Sequence, residues 1–363
     1  MKRIVVASAL CLLTTVAAWA DVSVTERQGL HRAKGPNKVK RLGKAQVRTG
    51  EHNLVDASTL EYFINSNITF TTSSSASGAA SEATYTGPVQ ATTSGGGTVS
   101  TTLSDAFDGY NSLCVSLTGA TGPCTTGDAA FTVYNDNGAG TLDGACGNRQ
   151  INLNTQTIGP IQVARKVFVP SNDEFIRWFS TFTNTSGSSQ TISVVTANNL
   201  GSDAATTIVT TSSGDAAVTT ADRWVTTFEN FSGTTSTDVR LGHVLWGPGA
   251  AVGLSAVSFA NGDENPFWSY SLTLAPGETR AILNFATGQP SRAEAAIKSN
   301  ELLGLPVNAL QCLSQAERGQ IANFVGIPPA VTEVPTVSTV GLIATALLLA
   351  GASFLLLRRR ATA

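Results

Sequence analysis

Histidine is nearly absent from this chain: His31, His52 and His243 are all there is in 363 residues. So few ligands exclude a His-rich metal centre. A Ser-His-Asp hydrolase would depend on His243, because His31 and His52 lie in or beside a basic stretch. His243 sits in a strand-like run, Leu241-Gly242-His243-Val244-Leu245-Trp246, with no nucleophile elbow nearby. A structural histidine with satisfied ring nitrogens is expected there. The absence of any Cys-x-x-Cys pair argues against zinc or thioredoxin-like chemistry. Charged residues make up only 13%, and the single Met is at position 1. A chain poor in charge and rich in Ser, Thr, Gly and Asn favours strands and turns over long solvated helices.

What is present is clearest at the two ends. Lys2 and Arg3 precede an apolar stretch over residues 4–13, and small residues follow, ending Ala18-Trp19-Ala20. This is the order of a secretory signal peptide, expected to cover residues 1–20. Near the other end, residues 340–357 run for 18 positions without a charge, and Arg358, Arg359 and Arg360 follow. A helix of that length spans about 27 Å, close to a hydrocarbon core. The three arginines would stop transfer and hold their end in the cytoplasm. The expected topology is an exported body tethered to the membrane by its tail.

The tail opens on Val334-Pro335-Thr336-Val337-Ser338, followed two residues on by Gly341. With its apolar helix and arginine stop it resembles the IPTL-CTERM sorting signal of Gram-negative bacteria, a relative of the PEP-CTERM tails. That signal usually reads Ile-Pro-Thr-Leu-Ser-x-Trp-Gly. Here Val334, Val337 and Val340 replace Ile, Leu and Trp, while Pro335, Thr336, Ser338 and Gly341 match. The resemblance covers about residues 334–360 and implies processing by an exosortase-like protease and delivery to the cell surface. It implies nothing about the body.

The net charge of −2 hides a segregation. Residues 22–48 carry eight Lys and Arg against Glu26 alone, a net of +7, whereas residues 49–333 carry 10 against 23 acidic residues, a net of −13. The basic stretch has few apolar residues, so residues 21–55 are expected to form a solvated arm. Such an arm could lie along the acidic body or meet an anionic surface. Nucleic acid is not an expected partner, given an acidic body outside the cytoplasm. Surface polysaccharide or protein is.

Cys11 leaves with the signal, and Cys114, Cys124, Cys146 and Cys312 remain, an even number suited to an oxidising compartment. Cys114 and Cys124 flank a loop containing Gly119, Gly122 and Pro123, so a local disulfide is expected there. Cys146 and Cys312 are left together or free.

From residue 56 to 288 short strand-like runs alternate with turn signals, as in residues 161–169, 175–184, 190–197, 239–246, 267–274 and 280–285. The expected fold is mostly β: one large antiparallel β-sandwich over 56–288, with two smaller sandwiches split near residue 160 as the alternative. Trp178, Trp246 and Trp268 fall in these runs and Trp224 in another, residues 223–228, and all four are expected in the core. Ser291-Arg292-Ala293-Glu294 and Ser314-Gln315-Ala316-Glu317 are capping-box sequences, so two short helices should close the body within 289–327. Residues 328–333 are the spacer to the tail, 334–363.

The body offers residues for two chemistries. Asn135, Asn137 and Asp143 loosely follow a calcium-loop pattern, but an Asx- and Gly-rich turn accounts for them, so no cofactor is expected. Paired carboxylates for glycoside cleavage are available at Asp173-Glu174, Asp203, Asp215, Asp222 and Asp263-Glu264, all at strand ends or loops. No pair among them stands out, and no catalytic residue is assigned. The body is therefore expected to be non-catalytic, structural or polymer-binding. A surface carbohydrate-active enzyme using acidic residues is the alternative.

Overall fold

A computed structural model describes residues 51–325, apart from 66–76, 86–88, 93–97, 102–105, 125–127, 136–139, 203–205 and 230–238. The expected signal peptide, most of the basic arm, and the sorting tail with Val334 to Gly341 and Arg358 to Arg360 lie outside the described residues. Among the described residues, no helix is long and apolar enough to cross a membrane. They belong to one compact unit that ends at Val325.

Eighteen strands are described. The first five are β1 (Glu51–Val55), β2 (Leu60–Asn65), β3 (Ala80–Tyr85), β4 (Val89–Thr92) and β5 (Thr98–Thr101). Then come β6 (Ser112–Ser116), β7 (Thr132–Val133), β8 (Thr141–Leu142), β9 (Gln150–Ile158), β10 (Ile161–Phe168), β11 (Ile176–Asn184), β12 (Gln190–Ala197) and β13 (Thr206–Thr211). The series ends with β14 (Trp224–Glu229), β15 (Arg240–Val244), β16 (Ala256–Ser258), β17 (Phe267–Leu274) and β18 (Thr279–Gln289). Two helices follow, α1 (Arg292–Leu303) and α2 (Gln315–Gln320). An eight-stranded sheet has the order β13-β14-β15-β18-β11-β10-β9-β8, and a five-stranded sheet the order β16-β17-β12-β6-β7. β1-β2-β3 and β4-β5 form small sheets of their own. All pairs among the described strands are antiparallel.

The two large sheets share one apolar core. Ile176, Trp178 and Phe182 of β11 and Ile282 of β18 join Ile192 and Val194 of β12 and Tyr270 and Leu272 of β17 in a single cluster. The pattern of β10 shows the cause: its residues alternate buried and less buried, because one face meets the core. β11 and β18 do not alternate in this way, and almost every residue is buried. Their outer face is covered too. Phe285 packs edge-on against Phe175 and Phe324, and Arg177 lies over the Phe168 ring. α1 crosses β15 at Gly242, where a Cβ would sit 2.1 Å from Ser299 Oγ. Only glycine permits that approach.

Both helices start where the serines place them. Ser291 accepts the Glu294 N–H, and Ser314 and Glu317 make a complete reciprocal box. The arm boundary needs a correction, because residues 51–55 are strand β1, not arm. The Asp56 carboxylate accepts the N–H groups of Ser58 and Leu60 and so closes a tight hairpin with β2, and Leu54 is buried on its inner side.

Disulfides join Cys114 to Cys124 and Cys146 to Cys312, with Cα atoms 6.3 and 5.7 Å apart. Two disulfides fit an extracellular or periplasmic body, since cytoplasmic thiols are kept reduced.

Candidate active site

His243 is fully buried. Its Nδ1 is 2.8 Å from the Tyr110 hydroxyl and its Nε2 is 2.9 Å from Thr227 Oγ1. Burial pushes its pKa down to about 3, so it is a neutral core group. The tryptophans are also structural. Trp178 and Trp268 are fully buried, while the half-buried Trp246 stacks with Arg223. Among the described residues no tryptophan is an exposed stacking platform.

Most candidate carboxylates are turn formers. Asp222 accepts the N–H groups of Ser213 and Thr219, Asp215 that of Ala217, and Asp263 that of Asn265. The Glu264 backbone carbonyl accepts Leu200 N–H, and Asp203 lies outside the described residues. Asp143 caps a short 3-10 turn and accepts from Gln150 and Asn152. Asn135 accepts from Ser77, and Asn137 lies outside the described residues. Among the described residues, no group of three or more His, Cys, Asp or Glu is arranged to hold a metal ion.

Asp173-Glu174 differs from the others. It sits in the β10–β11 loop, at the rim of a cleft of about 260 Å³. One wall is the β1–β2 turn at Ser58, Tyr85 at the end of β3, and Gln289-Pro290 at the end of β18. The other wall is α1, which contributes Glu294, Ile297, Lys298 and Glu301. The 3.6-residue repeat of α1 turns Glu294, Ile297 and Glu301 to one side together with the largely buried Lys298, while Ala295, Ser299 and Leu302 are buried.

The polar groups are held by specific bonds. Gln289 Nε2 donates to Glu174 Oε2 at 3.0 Å and to Thr287 Oγ1 at 2.8 Å. Thr287 in turn donates to the Glu174 carbonyl. Ser291 Oγ donates to Glu294 Oε2 at 2.8 Å. The Lys298 ammonium is paired with Asp173 and with Glu301. Burial opposes its charge, yet these two partners outweigh burial and raise its pKa. Tyr85 is buried and donates to the Gly288 carbonyl at 3.2 Å. Burial first, then the charges of Asp56, Glu174 and Glu294, push its phenol pKa up.

Asp56 lies behind this wall. Burial pushes its carboxyl up to about 7, against bonds from Ser58, Leu60 and Tyr62 that favour the charged form. The folded Asp56 keeps its proton to about pH 7, whereas an unfolded aspartate loses it near pH 4. The stability it contributes is therefore complete below about pH 4 and is lost as pH rises towards 7. Asp56→Asn should remove a fall of roughly 3–5 kcal/mol across that window. Urea midpoints of the two proteins between pH 4 and 8 check this; parallel curves would refute it.

No protein-family model matches the chain, and no curated protein matches it. Similar solved structures include a polysaccharide lyase at 13% identity and TM-score 0.37, covering 66% of this chain and 34% of the lyase. A bacterial glucoamylase complexed with acarbose is 10% identical with TM-score 0.37, over 73% of this chain and 36% of the other. A galactose mutarotase-like protein from Lactobacillus casei ATCC 334 is 10% identical with TM-score 0.35, over 66% of this chain and all of the other. The chain spans about a third of the length of the lyase and the glucoamylase. The expectation that the body is not an enzyme runs against these neighbours, which bear the names of carbohydrate enzymes or of proteins like them.

Proposed function

We propose that this is an exported protein of the bacterial surface whose β-sandwich body acts on a polysaccharide at the cleft between the β1–β2 turn and α1. One observation carries the reading: Glu174 and Glu294 come together with Tyr85 in one cleft, held by neutral partners rather than by cations. Cleavage of a glycosidic bond needs one carboxyl group to protonate the leaving oxygen and a second to activate water or attack carbon. Glu174 and Glu294 take these roles here. Ser58 and Gln289 supply hydroxyl and amide groups to sugar hydroxyls, and Ile297 offers an apolar edge to a ring face.

Glu174→Gln and Glu294→Gln keep the shape of each side chain. Each should lower polysaccharide cleavage by about 10²–10⁴-fold, the usual worth of a general acid or base. Their thermal midpoints should stay within about 2 °C of wild type, because Glu294 is exposed, Glu174 is half-exposed, and glutamine keeps the size of each side chain. Full activity in both variants would overturn the assignment.

The tail reading supports the location. Residues 340–357 serve as the membrane helix of the precursor, Arg358 to Arg360 as its cytoplasmic stop, and Val334 to Gly341 as the signal for an exosortase-like protease. A chain ended after residue 333 should fractionate away from membranes, whereas the full precursor should sediment with them. A full-length precursor recovered wholly in the cytoplasm would contradict this.

A further inference from the structure

The two disulfides are not equivalent. Cys114 and Cys124 are both buried, whereas Cys146 and Cys312 are both partly exposed. Cys312 also holds a left-handed backbone, φ 65°, a conformation disfavoured for a residue with a side chain. The segment it clamps follows α1 and contains a 3-10 turn, Val307–Leu310. Asn308 Nδ2 donates to Asp173 Oδ2 at 3.3 Å. Arg177 Nη1 donates to the carbonyls of Ala309 and Gln311 at 2.9 and 2.6 Å. Arg177 Nη2 donates to Gln150 Oε1, four residues after Cys146.

Asp173 joins this segment to the cleft. Its carboxylate pairs with Lys298 on the α1 wall, and its carbonyl accepts the Ala57 N–H beside Ser58 on the opposite wall. Glu174 is the next residue. The segment fixed by the Cys146–Cys312 bond therefore bears on a residue that reaches both walls of the cleft.

We propose that the Cys146–Cys312 disulfide is a redox-sensitive brace that sets the two walls of the acidic cleft through Asn308 and Asp173. The function of the cleft rests on the reading above, but the brace does not. The chemistry is thiol–disulfide exchange with an external dithiol. One of its thiolates attacks a Cys sulfur and breaks the S–S bond. Its second thiolate then resolves the mixed disulfide. The protein gains two electrons and two protons as two thiols, and the reductant closes to its own disulfide. Once Cys312 is freed its backbone relaxes, and the Asn308–Asp173 contact loosens with it.

Dithiothreitol applied to the native chain, followed by alkylation and peptide mapping, should label Cys146 and Cys312 at least tenfold faster than Cys114 and Cys124. Hydrogen exchange on the reduced protein should speed up at least tenfold at 307–313 and at the Ala57 amide. The Cys146→Ser/Cys312→Ser double variant should reproduce this, with Cys114→Ser/Cys124→Ser leaving Ala57 unchanged. Equal labelling of all four cysteines, or loosening of 307–313 with no change at Ala57, would overturn the brace. Faster exchange at Ala57 without polysaccharide cleavage in either redox state would uphold the brace and refute the proposed function.

Discussion

Replacing Cys146 and Cys312 together by serine is expected to destabilise the body by about 5 kcal/mol, against about 3 kcal/mol for the Cys114 and Cys124 pair. The difference comes from loop length. The first disulfide closes a separation of 166 residues and the second one of 10, and the entropy removed from the unfolded chain grows with the logarithm of that number. Relaxing the left-handed Cys312 offsets about 1 kcal/mol of the larger figure, which keeps the order of the two. Denaturant unfolding of both double variants and wild type measures it. A Cys114 and Cys124 variant less stable than the Cys146 and Cys312 variant would contradict the account.

Asn323→Ala is expected to cost about 4 kcal/mol, although the change removes no charge and little apolar surface. β15 pairs with β18 from Arg240 opposite Gln289 to Val244 opposite Phe285, and there it stops. Residues 279–284 of β18 would then lack partners on that side. Residues 321–323, near the end of the described chain, supply them. Ile321 bridges Ala281 in parallel, and Ala322 N–H donates to the Ala281 carbonyl. Asn323, fully buried, replaces a missing rung with its side chain. Its Oδ1 accepts Leu283 N–H at 2.9 Å, and its Nδ2 donates to the carbonyls of Leu283 and Leu245 at 2.7 and 2.9 Å. Alanine strands the Leu283 N–H in the interior, where an unsatisfied group costs about 1–3 kcal/mol, and leaves a void besides. Asn265→Ala, at an exposed position, should change stability by less than about 0.5 kcal/mol. Similar midpoints for the two variants would show that Asn323 is not part of the ladder.

Strands with bulky apolar residues were legible in the sequence. Residues 190–197 and 267–274 have their boundaries where the turn signals place them, and both helices begin at their serines. β13, Thr206-Thr-Ile-Val-Thr-Thr, was not legible, because its Ser- and Thr-rich surroundings carry no contrast between faces. β3 has the same difficulty over most of its length, with Ala80 and Ala83 as inward residues before the buried Tyr85. β1 was hidden by the basic arm before it.

The cleft was legible only in part. Asp173-Glu174 was visible as a pair of carboxylates at a strand end. Glu294 was visible only as a helix cap, and in the structure it is both cap and cleft wall. Nothing local in the sequence links Ser58, Tyr85, Glu174, Gln289 and Lys298. The register of β18 and the crossing of α1 over Gly242 bring them together. A glutamate in the first turn of a helix that starts at a strand end would have been the signal to follow.

The most direct test of the cleft is hydrogen exchange of the mature chain with an oligosaccharide that it cleaves or retains, drawn from a panel of neutral, acidic and amino-sugar polymers. Protection should be confined to residues 56–58, 173–174 and 289–301, and should disappear in Glu174→Gln/Glu294→Gln. Protection on another face of the sheets, or none with any member of the panel, would contradict the account.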